Sequence, residues 1–202
     1  MLIRIHPDNP QPRQLSMVKD CLENGGIIAY PTDTIYGLGC DIFHPEAIEK
    51  ICAIKKVAPE KAQLSFICAD LSNLSNYAKS IDNSLYRIMK KLLPGPYTFI
   101  LPASKEVPKI LQNKKKTIGL RIPDNKIALG IIETLGHPIL SASFPGEQVE
   151  DYTDPELIQE HWGHLVDMVV DGGIGGMIPS TVIDCTSDEL SVIRQGAGVW
   201  EY

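Results

Sequence analysis

The sequence predicts a single α/β domain built on a mixed sheet. Short apolar runs of strand length alternate with segments of helical periodicity, and this interleaving continues along the chain without a linker or an internal repeat. The composition is that of an ordinary globular protein: 202 residues, 44% hydrophobic and 22% charged, with 16 Gly and 15 Pro. A chain of this length buries roughly 70% of its unfolded surface and needs no disulfide or metal to fold. Residues 1–202 are therefore expected to form one domain.

Residues 2–5 read as a short strand. Residues 12–24 read as an amphipathic helix, with Leu15, Val18 and Leu22 on one face and Gly25 just past the end. Residues 26–30 are a buried strand that stops at Pro31. Residues 45–53 form a helix with Pro45 in its first turn. Residues 64–68 are strand-like, and Asp70 caps a short helix through Tyr77. Asp82 or Asn83 starts the next helix, in which Leu85, Ile88, Met89 and Leu92 recur at helical spacing until Pro94-Gly95-Pro96 breaks it. Residues 97–101 and 117–122 are strands separated by a short helix near 105–112. Residues 127–135 are a helix and 138–142 a strand. Asp154 caps a helix to about His164, and the apolar run 165–170 follows. After a glycine-rich loop, residues 180–185 and 190–194 make two closing strands.

The five cysteines are an odd number with no C-x-x-C pair, which argues against a disulfide framework or a cysteine zinc site and fits a reducing cytoplasm. The first residues lack the apolar core of a signal peptide, and no apolar run reaches membrane-span length, so no membrane partner is expected. The formal net charge is −6, unlike a general phosphate-binding surface. That average hides a segregation: residues 1–54 carry −3, residues 55–126 carry +9 and residues 127–202 carry −12. Either the basic middle is a face for an anionic partner, or the halves attract each other and Lys114-Lys115-Lys116 is a solvated turn.

The densest motif is Pro31-Thr32-Asp33-Thr34-Ile35-Tyr36-Gly37-Leu38-Gly39-Cys40. It brings hydroxyls, a carboxylate and two glycines to what is expected to be a sheet edge, where backbone can approach a ligand; a structural turn has the same composition. It is neither a Walker loop nor a dinucleotide fingerprint. Asp171-Gly172-Gly173-Ile174-Gly175-Gly176 can either expose backbone N–H groups to an anion or serve as a bend, the reading favoured here. Ser141 and Ser143 follow a strand, where serines offer hydroxyls or form turns. His161 and His164 have metal-ligand spacing without a third ligand, and are expected to be structural; no metal site is assigned. No G-x-S-x-G or H-E-x-x-H is present, and at 6% aromatic residues a base-stacking platform is poorly supported.

Four blocks in order carry a family resemblance: the motif at 31–39, Pro94-Gly95-Pro96-Tyr97-Thr98, Ile118-Gly119-Leu120-Arg121-Ile122-Pro123, and Ser180-Thr181-Val182-Ile183-Asp184 followed by Arg194. From about residue 10 onward the chain resembles the YrdC-like family, and within it the YciO branch. The resemblance implies a twisted mixed sheet with flanking helices around a concave basic pocket. It also implies relation to threonylcarbamoyl-AMP synthases, which join L-threonine, bicarbonate or CO2, and ATP with Mg²⁺, and feed the t6A modification of tRNA. Longer members carry a second C-terminal domain, and this chain is expected to be the short form. Carried over by position, Lys55, Arg121 and Ser143 are the expected catalytic residues. Thr32, Thr34, Lys61, Thr117, Ser141, Ser180, Thr181 and Arg194 are the expected substrate-binding residues. Such chemistry needs no covalent nucleophile and rests on positioning and on cations that neutralise phosphate and carboxylate.

Two positions depart from the family pattern. Val57 stands where the arginine of K-x-R falls, with Lys56 beside it as a displaced charge, and Pro145 stands where the asparagine of S-x-N falls. Two lost contacts of about 1.5–3 kcal/mol each imply synthase activity weakened by ~10²–10⁴. The alternative implied by the resemblance is a protein that binds double-stranded RNA or tRNA without synthase activity.

Overall fold

The computed structural model of the chain describes residues 1–202 except 63, 112–114, 147, 148 and 188, and except the side chains of residues 60, 149 and 150. Its strands are β1 (Leu2–Arg4), β2 (Ile28–Tyr30), β3 (Gly37–Asp41), β4 (Ser65–Ile67), β5 (Tyr97–Pro102), β6 (Thr117–Arg121), β7 (Ile139–Ser143), β8 (Met168–Asp171), β9 (Thr181–Asp184) and β10 (Ser191–Arg194). They join in one sheet in the order β1-β8-β2-β3-β7-β4-β6-β5-β9-β10. Pairs β1/β8, β2/β8, β4/β6 and β5/β9 are parallel, and the remaining five are antiparallel. The sheet is mixed, as expected.

The helices are α1 (Pro12–Glu23), α2 (Pro45–Ile54), α3 (Leu71–Tyr77), α4 (Asn83–Leu92), α5 (Lys126–Leu135) and α6 (Pro155–Trp162). Their ends follow from local chemistry. Asp70, Asp82, Asn125 and Asp154 each accept a backbone N–H of the first turn through the side chain, at 2.7–3.0 Å. Asp82 rather than Asn83 is thus the cap of α4. Gly25 (φ +74°) and Gly136 (φ +89°) take the left-handed conformation just beyond α1 and α5. The helix expected near 105–112 reduces, among the described residues, to a single 3₁₀ turn at Lys109–Leu111.

One strand was not foreseen. Residues 37–41, read from the sequence as loop, form β3, buried at every position between β2 and β7. The two glycines therefore lie inside the sheet and not at its edge. The reason is the buried ring of Tyr30: a Cβ on Gly39 would stand 2.9 Å from its Cε1, and one on Gly37 would stand 3.3 Å from the same atom. Glycine here makes room for a neighbour's aromatic ring.

Strand alternation divides the core. One apolar cluster joins Leu15, Val18 and Leu22 of α1 and Ile127, Ile131 and Leu135 of α5 to Ile28, Tyr30, Ile67 and Ile139 of the sheet. The other joins α2, α3, α4 and α6 to Phe66, Phe99, Leu120, Leu140 and Ile183, which project from the opposite face. Helices α1 and α5 thus cover the β1, β8, β2 end of their face and reach Ile139 of β7 and Ile67 of β4. The rest of that face, along β7, β4, β6, β5 and β9, is left open.

Candidate functional site

The open part of that face is the floor of a cavity of about 590 Å³. Its lining follows the two-residue period of the strands: Ser141 and Ser143 from β7, Ser65 and Ile67 from β4, Thr117, Gly119 and Arg121 from β6, Thr98 and Ile100 from β5, and Ser180 and Val182 at β9. Thr32 and Thr34 close one end from the β2–β3 turn. Lys55 follows α2, and Lys61 ends the 3₁₀ turn Pro59–Lys61. Arg194 reaches in from β10. The cavity volume suits a small molecule. Four cations and a series of hydroxyls line it, and among the described lining residues there is no carboxylate.

Arg121 is the centre of one end. It is 7% exposed, and its guanidinium pairs through Nη2 with the carboxylate of Asp33 and donates at 2.8 Å to Thr34 Oγ1. Arg121 Nε and Asp33 Oδ2 are buried without a hydrogen-bond partner among the described residues. The turn that holds Thr34 is built by Thr32, whose Oγ1 accepts from Thr34 N (3.0 Å) and donates to the carbonyl of Ile35 (2.7 Å). Thr32 has one hydroxyl proton, and it is spent on Ile35. The 3.1 Å contact between the two threonine hydroxyls is therefore Thr34 donating to Thr32. Thr34 Oγ1, which also accepts from Arg121, is left with a lone pair and no proton for the cavity.

At the other end Arg194 donates through Nε (3.1 Å) and Nη2 (2.9 Å) to the carbonyl of Ser180, and the Ser180 hydroxyl lies 2.9 Å from that of Thr98. Burial, and then the charge of Arg121, lower the pKa of the Arg194 guanidinium below its ordinary value. Lys55 Nζ donates to the Ser143 carbonyl at 2.8 Å, and burial lowers its ammonium below the usual lysine range. An anion between these cations favours their charged forms.

Ten of the eleven residues expected from the sequence line the cavity: Thr32, Thr34, Lys55, Lys61, Thr117, Arg121, Ser141, Ser143, Ser180 and Arg194. Thr181 does not. It is fully buried, with its hydroxyl donated to the Gly198 carbonyl at 2.5 Å. It is one residue out of phase with Ser180 and Val182, and so faces away from the cavity. Lys56 does not supply the displaced charge either, being exposed with φ +54° and absent from the lining, whereas Val57 lines the rim. Pro145 is also absent from the lining. Lys114 lies outside the described residues; Lys115 and Lys116 are exposed next to the lining residue Thr117.

The glycine loop after β8 is no anion nest. Its N–H groups are used internally, with Gly172 donating to Tyr36 Oη (3.1 Å), Gly173 to Asp171 Oδ1 (3.0 Å), Gly175 to the Thr153 carbonyl (2.8 Å) and Gly176 to the Thr34 carbonyl (2.7 Å). It is the bend favoured from the sequence, and it clamps the Thr34 turn from behind. Helix α6 ends at Trp162, so His161 and His164 do not share one helix. Among the described residues no group of three His, Cys, Asp or Glu side chains can hold a metal ion. Among the described residues no helix is long and apolar enough to cross a membrane.

Sequence reasoning missed Asp33 as the partner of Arg121, although it lies within the first motif. It also missed Ser65, Ile67, Thr98 and Ile100, which the two-residue alternation of their strands, anchored on Arg121 and Ser141, would have placed on the cavity face.

Residues 20–196 match the family model Sua5/YciO/YrdC, described as telomere recombination. The chain belongs to this family. It is 46% identical over 197 residues to the uncharacterized protein YciO of Escherichia coli K12, covering 96% of this chain and 94% of that one. The crystal structure of E. coli YciO superposes with a TM-score of 0.91 at 43% identity, over 98% and 97% of the two chains. A threonylcarbamoyl-AMP synthase of Photobacterium profundum is 31% identical over 187 residues, 90% of this chain and 98% of that one. The structure of P. abyssi Sua5 complexed with L-threonine matches with a TM-score of 0.86 at 27% identity, over 97% of this chain and 57% of that one. The YciO likeness thus spans both chains, and the synthases of the family are more distant.

Proposed function

We propose that this Sua5/YciO/YrdC protein binds ATP and L-threonine in the cavity and makes threonylcarbamoyl-AMP in the cytoplasm, at reduced efficiency. The observation that carries this reading is the convergence of Lys55, Lys61, Arg121 and Arg194 on one cavity with no carboxylate among its described lining residues. The L-threonine complex of Sua5 supports the amino-acid half of the reading.

The threonine carboxylate pairs with Arg121, which suits a planar carboxylate. Beside it the lone pair of Thr34 accepts an N–H or O–H of the same ligand. The free amine adds to the carbon of CO2 and loses a proton, giving a carbamate. A carbamate oxygen then attacks the α-phosphorus of ATP as the bond to the β-phosphate oxygen breaks, and pyrophosphate leaves. Lys55, Lys61 and Arg194 neutralise the phosphate charge. No carboxylate of the described lining competes for Mg²⁺, so the metal enters with the triphosphate as part of the substrate.

The test is incubation with ATP, Mg²⁺, L-threonine and labelled bicarbonate. A labelled adenylate and threonine-dependent pyrophosphate release are expected, both lost in Arg121→Met; absence of product from the unaltered chain overturns the reading. A second reading, binding of double-stranded RNA or tRNA, is favoured by exposed Lys115 and Lys116 beside Thr117 at the cavity wall. It requires tRNA binding that weakens with salt and with neutralisation of those lysines.

A further inference from the structure

Ser141 is the cavity residue whose hydrogen-bonding direction the fold dictates from behind. Its Oγ accepts a hydrogen bond from the phenol of Tyr30 at 2.6 Å. Tyr30 is fully buried, and its ring occupies the hollow left by Gly37 and Gly39. The same hollow brings Ser141 Oγ within 3.2 Å of where a Cβ on Gly37 would lie, so three neighbouring positions combine to hold one hydroxyl. Burial pushes the Tyr30 phenol up to about 12, which keeps its proton in place across the working range of pH.

We propose that Tyr30 is a positioning residue. By donating its proton to Ser141 Oγ, it obliges Ser141 to turn its own proton into the cavity, where it serves as a fixed donor to an oxyanion of the ligand. A hydroxyl that already accepts one strong bond gains most by donating its proton elsewhere, and the open side of Ser141 is the cavity. The cavity is then polarised. Thr34 offers only a lone pair, and Ser141 offers a proton. A ligand is read in one orientation, with an N–H or O–H group against Thr34, beside the carboxylate held by Arg121, and an acceptor oxygen against Ser141 of β7.

Naming the oxyanion as phosphate rests on the nucleotide reading above; the proton direction does not. Two experiments separate them. In the unliganded protein, NMR should show a slowly exchanging Tyr30 hydroxyl proton with a nuclear Overhauser contact to Ser141, lost in Tyr30→Phe. A Ser141 hydroxyl proton found in that bond instead overturns the proposal. In binding experiments with MgATP, pyrophosphate and inorganic phosphate, Tyr30→Phe should weaken anion binding about three- to tenfold. Ser141→Ala should weaken it at least as much, and Tyr30→Phe should add nothing further in the Ser141→Ala background. Additive losses would mean that the phenol acts through packing and overturn the proposal. If the unaltered chain binds none of the three anions, the nucleotide reading and the oxyanion recipient both fail, and the NMR result alone decides which way the Ser141 proton points.

Discussion

Replacing Arg121 with methionine tests whether the cavity's central cation is also a structural element. The side chains of Arg121 and Asp33 are only 9% and 10% exposed, and Asp33 Oδ2 already lacks a partner among the described residues. Removing the guanidinium leaves a buried carboxylate with no opposing charge, and takes the donor from Thr34 Oγ1. Breaking a buried pair on one side costs about 3–5 kcal/mol, a large share of the ~5–15 kcal/mol that holds a domain together. For a chain of this size that is a fall in Tm of about 6–20 °C. Removing both partners in Arg121→Met/Asp33→Leu should recover most of the loss, because no uncompensated charge then remains buried. Urea unfolding of both single variants and the double variant gives the cycle. A loss below about 1 kcal/mol in Arg121→Met, or a double variant no more stable than Arg121→Met, refutes the view that Asp33 depends on Arg121 for compensation.

Three more outcomes are expected. Gly39→Ala places a methyl 2.9 Å from the Tyr30 ring and should destabilise by about 1–3 kcal/mol by overpacking, read from chemical denaturation; a neutral result would mean that the ring can move. The Lys55 ammonium is depressed by burial in the free protein, and a phosphate beside it favours the charged form, so MgATP binding in alkaline solution should take up protons. Calorimetry in buffers of different ionisation enthalpy measures this uptake; it should vanish in Lys55→Met, and its absence in the unaltered chain would place the triphosphate elsewhere. Val57→Arg returns a cation to the cavity rim and should raise ATP affinity by about 10- to 150-fold if a charge-assisted bond of ~1.5–3 kcal/mol forms. No gain would show that Val57 is not what limits binding.

Much of this arrangement was legible in the residue order, and the exceptions share a cause. Helix limits at Asp70, Asp82 and Gly136 are decided within one turn of chain, so local chemistry reveals them. Strand β3 is decided by Tyr30, a residue on a different strand, and no local property of Gly37 or Gly39 distinguishes it from a turn. The choice between Ser180 and Thr181 turns on the phase of β9, and the failure of Lys56 to replace the missing arginine turns on a backbone that bends away after α2. Asp33 stands three positions past β2 in the chain's most distinctive motif, yet its partner is 88 residues away. Charge segregation pointed to the basic middle of the chain. Only the fold brings Arg194 from the acidic third to the same cavity.

On the strands that floor the cavity, ligand-facing positions and core positions differ by a single step: Ile67 follows Phe66, Ile100 follows Phe99, Arg121 follows Leu120, and Ser141 follows Leu140. Substitution on the ligand side can retune what is bound while the hydrophobic side stays intact. Insertion or deletion of one residue in such a strand has the opposite character, exchanging the two sides completely. It would drive Arg121 into the apolar interior and lay Leu120 against the ligand. Among these strands, evolutionary change in binding is therefore expected to proceed by replacement at fixed length, with length variation confined to the loops.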